Sequence, residues 1–87
     1  MKPTIRVQKT TLEQYDLCKI ILDARMEMIN AAGRKAREQK KTAFETSLMR
    51  ADADRSAIKM AERCMYVNSM HEALTIIAEY VDIKILS

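Results

Sequence analysis

The chain has 87 residues, of which 48% are hydrophobic, with one glycine, one proline and no tryptophan. That length fits a single domain, and so few turn residues exclude most sheet-rich folds and favour an all-α one. The net charge is only +3, from 15 basic and 12 acidic residues, which argues against a surface that is basic throughout. A domain this small is only marginally stable alone, so we expect it to gain stability from a partner subunit.

No apolar run near the start has the length of a signal peptide. None elsewhere reaches the roughly 20 residues that a membrane span needs. We therefore expect a cytoplasmic protein, in the host cytoplasm if its source is viral, with no membrane partner.

The first helix is predicted over residues 11–32, after a flexible arm at 1–10. The weak alternation of TIRVQK in that arm fits a short extended segment and disorder equally well. Thr10 and Thr11, with Glu13 and Gln14 three residues later, form two overlapping capping boxes that predict a helix start. Gly33, the only glycine, stands where a left-handed residue would end the helix.

Residues 34–50 are predicted as a basic connection that contains a short helix. The eight residues RKAREQKK carry a net charge of +4, more than that of the whole chain, so the basicity is local. They form either an anion-binding patch or a connection kept soluble by its charge. Thr42 and Glu45 form a third capping box, which predicts the start of the short helix. The candidate anion patch consists of Arg34, Lys35, Arg37, Lys40 and Lys41.

A long amphipathic helix is predicted over residues 52–85, and the fold is organised around it. Apolar residues recur there at steps of four and three, which places them on one stripe of a helix. About 30 helical residues span roughly 45 Å, longer than the roughly 30 Å diameter of a compact domain of this size. The overhanging apolar end predicts a homo-oligomeric helix bundle built from helical hairpins. Alternatively, the short helix and the long helix are continuous, since ADADRSA contains no helix breaker.

Catalysis is not expected, because the chain lacks a Gly-rich phosphate loop, a GxSxG elbow and an HExxH helix. No metal or cofactor is expected either. Cys18 and Cys64 have no CxxC or Cys/His spacing, so buried reduced thiols are favoured over a disulfide or metal site. Polar residues interrupt the long stripe. They either pair with each other in an oligomer, which is the commoner arrangement, or hold a bound molecule. They are Asn68 and His71 inside the stripe, with Arg63, Tyr66 and Thr75 at its edges.

Two segments of the chain resemble one group of small phage proteins. The first contains Arg55-Ser56, Met60-Ala61, Met65 and Met70, and the second is Leu12-Glu13-Gln14. These proteins are the anti-CBASS nucleotide sponges and their anti-Thoeris relatives, which sequester cyclic nucleotide messengers of bacterial immunity. The resemblance implies an oligomer without catalysis, with cyclic di- or trinucleotide pockets between subunits. It also implies ligand-binding roles for Arg55 and Arg63 on phosphates and for Tyr15 and Tyr66 on bases.

Two other functions stay open. The protein is alternatively a small helical protein that binds and inhibits a host protein, or a nucleic-acid-binding protein that uses Arg34 to Lys41. The absence of a helix-turn-helix signature and the small net charge argue against the last reading.

Overall fold

The structure, a computed structural model, describes residues 2–87. Its elements are β1 Thr4–Gln8, α1 Lys9–Glu13, α2 Leu17–Glu38, α3 Ala43–Cys64, α4 Met70–Ile77 and β2 Asp82–Leu86. Helices α2 and α3 pack against each other as a hairpin and form the body of the molecule. The prediction of a mainly helical domain is confirmed, but the two strands mean that the fold is not all-α.

The sheet joins the two ends of the chain. β1 and β2 are parallel, with Ile5 beside Ile83 and Val7 beside Ile85. Ile5 and Val7 are buried against the helices, so the sheet extends the core. The arm expected to be flexible at residues 1–10 is instead β1 and the beginning of α1, while Met1 lies outside the described residues. Parallel pairing joins segments that are far apart in sequence, so no local pattern in either segment predicts it.

Side-chain caps explain where three helices begin. The predicted capping box at Thr42 and Glu45 is confirmed, with both of its hydrogen bonds at 3.1 Å. The Asp16 side chain accepts from the Lys19 amide at the start of α2, and the Ser69 hydroxyl accepts from the Glu72 amide at the start of α4. The capping boxes expected at Thr10 and Thr11 are wrong, because α1 begins after Gln8 without a side-chain cap.

Helices α1 and α2 end at left-handed residues, and neither of these is the glycine. Tyr15 and Lys40 both have φ 54°, and each follows a helix whose last carbonyls they help to satisfy. The expectation that the first helix spans 11–32 and ends at Gly33 is therefore wrong. The chain breaks after Glu13 and then continues as one helix to Glu38, with Gly33 inside it. The helix formers in RKARE outweigh the cost of about 1 kcal/mol that one interior glycine imposes.

The long helix predicted over 52–85 is also wrong. Helix α3 starts at Ala43 and ends at Cys64, so the alternative of a short helix continuous with the next one is correct for this part. A turn, α4, a second turn and β2 follow. Because all of these elements pack on one core, their buried residues mimic a single helical stripe. The overhang that argued for a homo-oligomer disappears, because α3 has only 22 residues, about 33 Å at 1.5 Å per residue, and fits within the 42 Å length of the molecule.

The core lies between the hairpin, α4 and the sheet. Cys64 belongs to it, and burial raises the pKa of its thiol, with the nearby Arg63 charge acting in the opposite direction. Cys18 is exposed, so the expectation of two buried thiols holds only for Cys64, although both cysteines are free. None of the helices in the described part of the chain is both long and apolar enough to cross a membrane. The largest fully buried side chains are Ile20, Met60, Ile77 and Val81.

Candidate functional site

A basic cleft lies along the line where α2 meets α3, near the turn that joins them. Its volume is about 350 Å³, which is within the range of small-ligand sites. The residues that line it are Asn30, Gly33, Arg34, Arg37, Thr46 and Arg50. We call this site the Arg37–Arg50 cleft.

The helical repeat brings these residues together. Asn30, Arg34 and Arg37 are four and three residues apart, so they share one face of α2. Thr46 and Arg50 are four residues apart on α3 and form the opposite wall. Gly33 leaves room between the walls, and a Cβ atom placed there would be 3.7 Å from Nε of Arg50. The glycine thus lies beneath the Arg50 side chain.

Two of the three arginines in the cleft have uncompensated charge. Arg34 forms a salt bridge to Glu27, with 2.5 Å between Nη2 and Oε1. No carboxylate among residues 2–87 lies within 4.0 Å of the guanidinium of Arg37 or of Arg50. Two free guanidinium groups facing one cleft, with the Asn30 amide beside them, create a positive potential suited to an oxyanion.

The predicted anion patch only partly coincides with this cleft. Arg34 and Arg37 line it, whereas Lys35 faces a different cleft on the other side of α2. Lys40 is the left-handed residue that follows α2, and Lys41 lies 3.9 Å from Glu45 in an exposed pair. These two lysines contribute to the basic end of the hairpin without lining the cleft.

Sequence reasoning missed four lining residues, Asn30, Gly33, Thr46 and Arg50. The signal for Arg50 was available, because it follows Thr46 by one helical turn. A tight connection between two helices makes them antiparallel neighbours, so the start of α3 must face the end of α2. The prediction that α2 ended at Gly33 hid this relation.

Arg63, a predicted ligand-binding residue, already has partners within the fold. Its guanidinium donates to both carboxylate oxygens of Glu79, at 2.9 and 2.8 Å, and to the Tyr80 hydroxyl at 3.2 Å. Its Cζ atom lies 5.8 Å from the centre of the Tyr80 ring. These hydrogen bonds raise the pKa of Arg63 and lower that of Glu79. Arg63 therefore ties the end of α3 to the turn before β2.

The other predicted ligand-binding residues do not form one site. Arg55 is exposed and paired with Asp52 on the outer face of α3. Tyr15 and Asn68 line the same shallow cleft of about 210 Å³, beside the turn between α3 and α4. Tyr66 is 85% exposed at that turn, and His71 is exposed on α4. Only Tyr15 and Asn68 are brought together.

A larger and shallower cleft of about 620 Å³ lies on the opposite side of α2. Its floor contains Ala31, Ala32 and Ala53, and its rim includes Lys2 and Lys35. Arg34 lines this cleft as well as the Arg37–Arg50 cleft, and Glu38 and Tyr80 lie with it there, so the basic side chains share the cleft with a carboxylate. No buried side-chain nitrogen or oxygen without a hydrogen-bond partner is found among residues 2–87. Across residues 2–87, no group of three His, Cys, Asp or Glu side chains is arranged to hold a metal ion.

Comparisons with protein families, curated protein sequences and solved structures found no match to this chain. The chemistry of the molecule's own clefts therefore has to support any functional proposal.

Proposed function

We propose that this protein is a non-enzymatic binder of small phosphate-bearing anions, and that the Arg37–Arg50 cleft holds the anion. The observation that carries the proposal is the pair of guanidinium groups, from Arg37 and Arg50, that face one cleft without a carboxylate within 4.0 Å. Elsewhere in residues 2–87, Arg25, Arg55 and Arg63 each pair with a carboxylate. Arg6 has no carboxylate within 4.0 Å either, but the cleft that it lines also contains Asp23 and Glu27.

Arginine suits this role because its planar guanidinium donates two parallel hydrogen bonds to a phosphate. The Asn30 amide lies beside the two arginines and adds a neutral donor. The Thr46 hydroxyl donates to the Thr42 carbonyl at 2.8 Å, so it offers the cleft an acceptor rather than a donor. This arrangement binds and orients an anion but supplies neither a nucleophile nor a general base.

The specific form of the proposal is sequestration of cyclic di- or trinucleotide immune messengers, as in a phage counter-defence protein that acts in the host cytoplasm. Its support is the basic cleft together with the resemblance of the segment from Arg55 to Met70. Each nucleotide of such a messenger carries one phosphate, which matches a site built around two arginines. Pockets between subunits would require the homo-oligomer that the resemblance implies.

Isothermal titration tests the proposal, with inorganic pyrophosphate and a panel of cyclic di- and trinucleotides as probes. We expect binding to one or more of them. An Arg37→Gln/Arg50→Gln variant should bind about tenfold or more weakly, because a hydrogen bond to a charged group contributes about 1.5–3 kcal/mol and about 1.4 kcal/mol corresponds to a factor of ten in affinity. Arg25→Gln is the matched control, because it removes a salt-bridged arginine that lies outside the cleft and to which the resemblance gives no ligand-binding role. Absence of heat with every probe, or equal loss in the control, contradicts the assignment.

A second candidate function is binding to a host protein through the outer face of α3. This face lies opposite the buried face of the helix, and Phe44 is 73% exposed on it. Large apolar residues that recur on one exposed helix face are typical of protein-binding surfaces. They are Phe44, Leu48 and Ile58, and Met65 directly after the end of α3 is exposed as well. A stoichiometric partner that is captured from host lysate by the wild type and lost with Phe44→Asp would favour this function.

The third reading, nucleic-acid binding through Arg34 to Lys41, uses the same basic end of the hairpin. It predicts affinity for duplex or single-stranded oligonucleotides that falls as the salt concentration rises. Affinity that is independent of salt contradicts it.

A further inference from the structure

The outer edge of β2 has no strand partner in the described part of the chain. The sheet consists of β1 and β2 alone, and β1 is the one element with which β2 makes extensive contact. Ile85 is 54% exposed, although it lies on the same face of β2 as Ile83. A strand edge with free backbone groups and an exposed apolar side chain is a template for pairing with another strand.

The direction of the backbone groups at this edge follows from one hydrogen bond. The Asp82 amide donates to the Pro3 carbonyl at 2.8 Å, so Asp82 directs its N–H towards the β1 side. Along a strand, the backbone groups of successive residues point to alternate sides. The N–H and C=O groups of Ile83 and Ile85 therefore point away from β1, to the open edge.

We propose that β2 pairs with β2 of a second copy of this chain, antiparallel, with Ile83 on the two-fold axis. The product is a closed dimer with a four-stranded sheet in the order β1-β2-β2-β1. Ile83 of each copy then exchanges both backbone hydrogen bonds with Ile83 of the other, because its N–H and C=O groups face the partner. The same surface serves both copies, as a two-fold interface requires.

The charges on β2 select this register. With Ile83 on the axis, Asp82 lies opposite Lys84 of the second copy, and Lys84 lies opposite Asp82, which gives two cross-strand ion pairs. A shift that places Lys84 on the axis sets two lysines directly against each other. A further shift to Ile85 leaves Asp82 without an opposing residue of the strand. Only the first register joins opposite charges.

The charge on β2 is also incompletely balanced within one copy. Lys84 lies beside Arg6 in the parallel register, so two positive charges are neighbours on the outer face of the sheet. Neither Asp82 nor Lys84 takes part in a salt bridge within residues 2–87. Asp82 of a second copy would offset one of these two positive charges. The proposal is independent of the Arg37–Arg50 cleft, which lies on the helical hairpin.

Charge reversal tests the pairing, with oligomeric mass followed over a dilution series by light scattering and native mass spectrometry. We expect the wild type to dimerise, and Asp82→Lys or Lys84→Asp to weaken the dimer about tenfold or more, because each variant sets like charges opposite one another. The double variant Asp82→Lys/Lys84→Asp should dimerise again. Mixing the two single variants should give a heterodimer, since one copy supplies two lysines and the other two aspartates. Lys59→Asp, an exposed reversal on α3, is the control.

Amide hydrogen exchange provides a second measurement that a change in folding alone would not mimic. The amides of Ile83 and Ile85 should gain protection as the protein concentration rises, whereas the Lys84 amide, which faces β1, should not change. A wild type that stays monomeric at every concentration overturns the proposal. So does a dimer that survives both single reversals, or one that the double variant and the mixture fail to restore.

Discussion

Replacing Gly33 with alanine tests the interpretation of α2 as one continuous helix. The structure places Gly33 inside Leu17–Glu38, without a positive φ. An alanine Cβ at this position would be 3.7 Å from Nε of Arg50, an ordinary van der Waals distance, so the methyl group fits without displacing its neighbours. The substitution therefore changes the backbone entropy and little else.

The expected gain in the free energy of unfolding is about 0.5–1 kcal/mol, because glycine loses more conformational freedom on entering a helix than alanine does. For a domain of this size, such a gain raises the melting temperature by roughly 2–8 °C. With a urea m-value of about 1 kcal/mol/M, it raises the unfolding midpoint by roughly 0.5–1 M.

Urea unfolding followed by circular dichroism measures this shift. Lys35→Gly, an exposed change in the same helix, is the control and should lower stability by about 1 kcal/mol. If Gly33 instead ended the helix in a left-handed conformation, as the sequence alone suggests, alanine would be strained and would lower stability. A destabilised Gly33→Ala protein would therefore refute the continuous helix.

Three further predictions concern the rest of the fold. Lys40→Gly should raise the urea midpoint by the equivalent of about 0.5–1 kcal/mol, because φ 54° suits glycine better than lysine; a lowered midpoint would contradict this. Met60→Ala should cost about 2–5 kcal/mol, since Met60 is fully buried and truncation leaves a cavity, and a cost near zero in the same assay would be inconsistent with that burial. Hydrogen bonds lower the pKa values of Glu79 and Glu45 from their ordinary range, from Arg63 in the first case and from Thr42 in the second. Their stabilising effect is complete above the unfolded-state pKa and is lost as the pH falls through the lowered values, so Glu79→Gln should reduce the acid dependence of the melting temperature. An unchanged acid dependence would mean that the Glu79 contact forms equally in the unfolded chain.

Local signals in the sequence predicted local structure only in part, since the capping boxes at Thr10 and Thr11 and the helix end at Gly33 are wrong. The capping box at Thr42 and Glu45 is present, and ADADRSA continues the preceding helix. Both features depend on residues that are one turn apart. The break after Cys64 was missed because Met60, Cys64 and Val81 fall on one stripe at steps of four and three, although Val81 lies beyond α4 and joins the same core from another part of the chain. The strands were missed because they pair across almost the whole chain.

At the candidate site too, residues close in sequence were predicted and contacts between distant residues were missed. Arg34 and Arg37 lie in a run of basic residues that the sequence makes conspicuous, and they line the cleft. Arg50 was missed because its position depends on how α2 and α3 pack. The contact of Arg63 with Glu79 was missed because the two residues are 16 positions apart and no helical spacing predicts it.

The central claim is that Arg37 and Arg50 bind a phosphate-bearing anion. Titration of ¹⁵N-arginine-labelled protein with inorganic pyrophosphate, followed by NMR of the Nε–Hε signals, tests it most directly. We predict that the signals of Arg37 and Arg50 shift together and saturate, while that of Arg25, which pairs with Asp54 outside the cleft, does not move. No saturable shift at Arg37 and Arg50, or a larger one at Arg25, would contradict this assignment.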